Sequence, residues 1–165
     1  MEKAMKIAVV SDTHGRQEIV RRVLADLRDR SVAVVLHCGD IDDAETVLLF
    51  RGFTTHFVFG NCDWDREGLR SAMAEVGATL HEQFGHVEIA GRKIAFLHGD
   101  DKRLMRDVEH SGGYDFLFYG HTHQAEEHVT GPKRVCNPGA LHRANPKQFI
   151  LLDLPEGAIE PVIVE

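Results

Sequence analysis

The chain has 165 residues, 43% hydrophobic and 27% charged, which suits one globular domain and excludes a collagenous, low-complexity or largely disordered chain. Nineteen Lys and Arg against 26 Asp and Glu give a net charge of −7, a poor footprint for non-specific nucleic-acid binding. No apolar run approaches the ~18 residues of a membrane span.

The elements alternate. Lys6–Val10 reads as a buried strand. From Arg16 to Arg30, Ile19, Val20, Val23, Leu24 and Leu27 share one helical face. Ala33–Leu36 is a second strand and Asp43–Arg51 a short helix. Phe57–Phe59 is a third strand, followed by a helix over Arg66–Val76. This order argues for parallel strands joined by crossover helices. After Gly77 the pattern changes. His86–Ala90 and Lys93–Leu97 flank a hairpin turn at Gly91-Arg92. Lys102–Glu109 reads as a helix and Phe116–Tyr119 as a buried strand. Val129 and Val135 flank a turn at Thr130-Gly131-Pro132. Phe149–Leu154 and Ile159–Val164 form a last hairpin. No linker separates the halves, so residues 1–165 are expected to form one α/β domain: two stacked mixed sheets with helices outside.

Three widely spaced cysteines, Cys38, Cys62 and Cys136, argue against a disulfide framework. The first residues run directly into a strand, without the longer apolar region of a secretory signal, so a reduced, cytoplasmic setting is expected. Eleven histidines are more than enough for two metal sites. Of these, His56, His81, His86, His110 and His128 read as surface residues.

The informative feature is the polar segment at the end of each apolar strand. The first strand ends in Ser11-Asp12-Thr13-His14-Gly15, the second in His37-Cys38-Gly39-Asp40, and the third in Gly60-Asn61-Cys62-Asp63. Two later strands end in His98-Gly99-Asp100 and Gly120-His121-Thr122-His123. Sites in open α/β sheets lie beyond the carboxyl ends of strands. If these ends meet, one cleft collects Asp12, His14, Asp40, Asn61, His98, His121 and His123. Asp12 and His14 are two residues apart, as are His121 and His123, so extended backbone would aim each pair the same way. Carboxylates, an amide oxygen and imidazoles suit Mn, Fe, Ni, Zn or Co better than Ca or Mg. Seven groups are too many for one catalytic ion but right for two sharing a carboxylate. Two ions about 3.5–4 Å apart can clamp a phosphoryl group and generate a hydroxide.

These motifs, in this order, resemble the calcineurin-like metallophosphoesterase family, and the short chain and its GNCD form resemble the small bacterial and archaeal phosphodiesterase branch. The resemblance spans about Met5 to Leu154. It implies a four-layer α/β/β/α sandwich with a dinuclear centre. Asp12, His14 and His123 would hold one ion; Asn61, His98 and His121 would hold the other; Asp40 would bridge them. Asp40, Asn61 and His98 are then the expected catalytic residues. The ions are expected to be Mn, or Ni, Fe, Co or Zn, with a bridging hydroxide attacking a small phosphodiester. Larger family members place a His directly after the Gly-Asn, where it can protonate the leaving group. Here that residue is Cys62, and a thiol is a less suitable acid at neutral pH.

Other positions leave alternatives open. Arg16 reads either as a phosphate contact or as the exposed first turn of its helix. Asp63 and His37 are candidates to orient ligand imidazoles, His37 equally a buried strand-end residue with a backbone partner. Asn137-Pro138-Gly139-Ala140 resembles an NPGS loop that borders the site in relatives, with Ala140 in place of the serine and His142 close behind. Phe50, Phe53, Phe57 and Trp64 are assigned to the core. The alternative functions are a non-catalytic scaffold like the retromer subunit of this fold, a phosphomonoesterase, or a nuclease. Neither a membrane nor a nucleic acid is an expected partner, whereas small relatives often form homo-oligomers.

Overall fold

The computed structural model describes residues 2–165. A six-stranded sheet contains β1 (Met5–Val10), β2 (Val34–His37), β3 (Thr54–Phe57), β4 (Thr79–Leu80), β10 (Gln148–Leu154) and β11 (Ala158–Ile163), in the order β11-β10-β1-β2-β3-β4. A five-stranded sheet contains β5 (Phe84–Ile89), β6 (Arg92–Leu97), β7 (Phe116–Phe118), β8 (Glu126–Thr130) and β9 (Lys133–Asn137), in the order β5-β6-β7-β9-β8. Both are mixed. β1, β2, β3 and β4 pair in parallel, as do β6, β7 and β9, while β10 pairs antiparallel with β1 and β11, β5 with β6, and β8 with β9.

The strands read as continuous apolar runs because both faces are buried. Ile7 and Val9 of β1 point into the layer between the sheets, with Ile94, Phe96, Phe116, Phe118, Ile150 and Leu152. Ala8 and Val10 point the other way, against α1 (Gln17–Asp29), α2 (Ala44–Leu48) and α3 (Arg66–Glu75), through Val20, Leu24, Leu27, Val47 and Leu69. Ala95, Leu97, Leu117 and Val135 form a third apolar layer against α4 (Lys102–His110). The result is the expected α/β/β/α stack.

Asp43, Asp65 and Asp101 cap α2, α3 and α4 by accepting backbone N–H bonds. Among the described residues no helix is long and apolar enough to cross a membrane.

Several boundaries differ from the sequence reading. β3 starts at Thr54 and ends at Phe57, because its register is set by parallel pairing of Val34–His37 with Thr54–Phe57. The two-residue β4 carries too little pattern to be read. α2 stops at Leu48. The β5–β6 turn is Ala90-Gly91, not Gly91-Arg92: Ile89 pairs with Arg92, and both turn residues take positive φ, 49° and 72°. Phe50 and Phe57 are in the core, but Trp64 is 85% exposed. His56 and His81 are half-buried and hydrogen-bonded to each other at 2.9 Å rather than on the open surface.

Candidate metal centre

The loops after β1, β2, β3, β6 and β7 interlock at one edge. Asp12 N–H donates to Gly39 O and His14 N–H to Asp40 O, both at 3.0 Å. Gly120 N–H donates to His98 O at 2.8 Å. Gly39 is required here: φ is 97°, and a Cβ would lie 2.7 Å from Gly60 N and 2.9 Å from His98 Nδ1.

These loops bring together all seven side chains singled out from the sequence. Potential ligand atoms of Asp12, His14 and His123 lie within 4.8 Å of one another, as do those of Asp12, Asp40 and His98. Asn61 Oδ1 lies 2.9 Å from His98 Nε2 and 3.1 Å from His121 Nδ1. Asp40 is central. Its Oδ1 accepts from Cys62 N–H at 2.8 Å, while Oδ2 lies 3.4 Å from His14 Nε2 and 3.2 Å from His98 Nε2.

The aiming mechanism is not extended backbone. Asp12, His14, Asp40, His121 and His123 all have left-handed φ, at 54°, 43°, 58°, 72° and 59°. Asp and His tolerate this region better than most residues. Such backbone still costs about 1–3 kcal/mol per residue and persists where the surroundings dictate it. The alternate-residue delivery therefore comes from strained turns past the strand ends.

Hydrogen bonds assign the atoms that face the centre. His98 Nδ1–H donates to Cys38 O at 2.8 Å, so Nε2 faces Asp40 and Asn61 oxygens. Two acceptors cannot sit against a bare imidazole lone pair: the arrangement needs a proton or a cation. His14 Nδ1 is 3.1 Å from Asp42 Oδ2, which turns His14 Nε2 inward. Asp12 Oδ2 accepts from Ser11 Oγ–H at 2.6 Å and His121 N–H at 3.1 Å, which turns Oδ1 toward His123 Nε2 at 3.1 Å and His14 Nε2 at 3.7 Å. Among the described residues, Asp12 Oδ1 and His14 Nε2 are buried without an aligned hydrogen bond. Buried polar atoms are ordinarily paired, and both point where a cation would satisfy them.

The titration behaviour agrees. Burial alone would lower the His98 pKa, but the Asp40 hydrogen bond and the Asp12 and Asp40 charges raise it to about 9. Burial is likewise outweighed at His14, whose pKa is raised by Asp12, Asp42 and Asp40. Asp40 is held below the usual carboxylate range: burial opposes this, but His98, Cys62 N–H and His14 prevail. A pocket that pulls protons onto imidazoles favours positive charge, and ion binding there would release those protons.

Beyond the seven, Asp63 does not touch an imidazole. Its carboxylate accepts from the N–H groups of Asp40, Ile41, Asp42 and Gly60 at 2.8–2.9 Å and ties the β2 loop to the β3 loop. His37 does not touch a ligand imidazole either. Its Nδ1 accepts from Gly39 N–H, its Nε2 bonds Thr13 Oγ1, and burial pushes its pKa down to about 3. Asn137 donates to Gly120 O and Thr122 Oγ1, both at 3.0 Å, so the NPGA loop buttresses the His121–His123 turn. His142 joins the cluster, its ring 5.0 Å from His14 and 6.3 Å from His123. Arg16 is exposed at the start of α1. Asp42 escaped the sequence reading; the one signal for it was its place two residues after Asp40.

Residues 5–157 match the calcineurin-like phosphoesterase superfamily domain. The chain belongs to this superfamily. It is 30% identical over 138 residues to a phosphodiesterase of Methanocaldococcus jannaschii, covering 82% of this chain and 83% of that protein. It is 25% identical to a probable metallophosphoesterase of Bacillus subtilis, over 83% of this chain and 75% of that one. A solved archaeal phosphodiesterase superposes with a TM-score of 0.90 at 26% identity, over 97% of this chain and all (100%) of the other. Zinc-bound Vps29 of Entamoeba histolytica shares the fold, with a TM-score of 0.67 at 23% identity over 97% of this chain and 98% of that chain. The superfamily is metal-dependent, and this chain is a phosphoesterase with residues that could hold metal at the converged strand ends.

Proposed function

We propose that residues 1–165 act as one domain, a phosphodiesterase dependent on two divalent ions. Asp12, His14 and His123 would hold one, Asn61, His98 and His121 would hold the other, and Asp40 would serve both. The observation that carries this reading is His98 Nε2 facing Asp40 Oδ2 at 3.2 Å and Asn61 Oδ1 at 2.9 Å, beside the buried Asp12 Oδ1 and His14 Nε2. The mixed N/O donor set suits Mn, Fe, Ni, Zn or Co, and the family resemblance favours Mn among them. When bound, such a pair supplies charge stabilisation for the phosphoryl oxygens and a nucleophile at neutral pH.

The chain's own residues do the rest. Asp12 and Asp40 are the only anions among the seven, so a loaded centre keeps a net positive charge and attracts a phosphate despite the acidic chain. Asp42 and the Cys38 carbonyl fix the His14 and His98 rings. Asp63 fixes the Asp40 backbone. Without ions, burial and the Asp40 carboxylate push the Cys62 thiol up to about 11, and a thiol is a poorer proton donor to a leaving group than an imidazole. Diesters with good leaving groups should therefore be preferred. The similar phosphodiesterases favour a diester over a monoester as substrate.

The test is turnover of a nitrophenyl phosphodiester with added Mn, after chelation, and after Mn is restored. Loss and recovery are expected, with Asp40→Asn and His98→Ala folded but inactive and short of metal. Full turnover in chelator, or in either variant, would refute the reading. A folded, metal-binding protein inactive on every ester would point to the scaffold instead.

A further inference from the structure

Next to the candidate centre lies a cleft of about 460 Å³ whose wall starts at His123 and continues through Gln124, Arg143 and Asn145. Among the described residues no carboxylate lines it, although the chain carries 26 acidic residues. No Phe, Tyr or Trp among the described residues lines it either, so its wall offers no aromatic ring to stack a base.

Among the described residues Arg143 is the only Lys or Arg in that wall. Arg22, Arg30, Arg51, Arg70 and Arg134 are each paired with a carboxylate. Among the described residues, Arg143 has no carboxylate within ion-pair distance. Its side chain is exposed, and it is the backbone beneath it that is fixed. Its φ is 47°, a left-handed conformation on a non-glycine residue. The loop is anchored by buried Leu141 and by Gln148, whose N–H donates to Ala140 O at 3.3 Å and whose Nε2 donates to Pro138 O at 3.1 Å. The preceding residue, His142, packs against His14 and His123. A free guanidinium on a fixed loop, joined to the centre, presents a fork of donors with nothing to bind.

A second cleft of about 460 Å³ starts at Gly15 and also carries cations, but there Arg22 is consumed by Glu18 and the Glu165 carbonyl. Arg16 and Lys147 line that cleft too, but there the carboxylates of Glu18 and Glu165 share the wall with the cations.

We propose that the His123–Arg143 cleft receives the second arm of the diester and selects arms ending in an oxyanion. Arg143 holds the charged group, and Gln124 and Asn145 offer neutral hydrogen bonds. This inference rests on the phosphodiesterase reading. The test uses three nitrophenyl diesters with the Mn-loaded protein: an ethyl arm, an arm ending in phosphate and an arm ending in carboxylate. A charged arm should lower KM at least about ten-fold, and the pair shows which oxyanion is preferred. Arg143→Gln should raise that KM by about 10- to 100-fold, with kcat and the ethyl ester unchanged. Arg143→Gly should do the same, since glycine accepts the left-handed backbone. Calorimetric binding of propane-1,3-diyl bisphosphate should weaken by a similar factor, and that of propyl phosphate should not change. Equal KM for all three esters, or an equal effect of the variants on the ethyl ester, would overturn the inference alone. No turnover of any ester by the Mn-loaded wild type would overturn the phosphodiesterase reading and this inference with it.

Discussion

Asp63→Asn keeps the shape of the side chain and changes one oxygen to an amide nitrogen. In the wild type, Oδ2 accepts from Asp40 and Gly60 N–H, and Oδ1 accepts from Ile41 and Asp42 N–H. Whichever way the amide turns, two of the four donors face an NH2 group. A buried donor without an acceptor costs about 1–3 kcal/mol, so two cost ~2–6 kcal/mol. That is a large part of the roughly 5–15 kcal/mol that a domain has. At about 2–4 °C per kcal/mol for this chain length, Tm should fall by roughly 5–20 °C. The loss is concentrated where Asp40 is held at φ 58°. Metal affinity should therefore fall as well, by about 10- to 100-fold, as for other residues that support ligands. Thermal unfolding in chelator reads the first effect, and metal content after dialysis the second. A Tm within about 2 °C of wild type together with unchanged metal content would refute the claim that this carboxylate organises the centre.

Three other outcomes are expected. Cys62→His should raise kcat/KM for diesters with alkoxide leaving groups about 10-fold or more relative to nitrophenyl esters, since an aligned general acid contributes on the order of 100-fold or more; an equal or lower ratio would show that proton delivery does not limit turnover. Gly120→Ala places a Cβ 2.0 Å from Ser11 Oγ and 2.6 Å from Asp12 Oδ2, so stability should drop by about 1–3 kcal/mol and metal content with it; wild-type Tm and metal content would contradict this. His128 bridges Glu109 of α4 and Glu126 of β8, hydrogen bonds that outweigh burial and raise its pKa above the ordinary 6.5. A raised histidine contributes its stability in full below the unfolded pKa and loses it as pH rises through the folded one. The Tm gap between wild type and His128→Gln should therefore be widest in mild acid and close toward alkaline pH, and a pH-independent gap would contradict the charge on His128.

The fold was legible because its strands are buried on both faces. Ile7 to Val10 or Phe116 to Phe118 can only be interior strands, and the turn from alternating helices to hairpins marked the second sheet. The convergence of the seven polar residues was legible for the same reason: each lies just past such a strand, and topology brings strand ends together. What failed depends on neighbours that are distant along the chain. β4 exists because His56 and Phe57 pair with Thr79 and Leu80, with no pattern of its own. Asp12 and His14 are aimed by left-handed turns locked to Gly39 and Asp40 carbonyls, where residue spacing suggested extended backbone. Asp63 looked like a partner for an imidazole and instead gathers four backbone donors. Trp64 looked like core, yet it comes after the turn at Asn61–Asp63 and precedes the Asp65 cap, where the chain runs along the surface.

The most direct measurement is anomalous scattering at the manganese edge from crystals of the protein soaked in Mn. Two peaks are expected beside Asp40, one in reach of Asp12, His14 and His123 and the other of Asn61, His98 and His121. One peak alone, or ions bound elsewhere with these side chains unengaged, would contradict the two-ion centre.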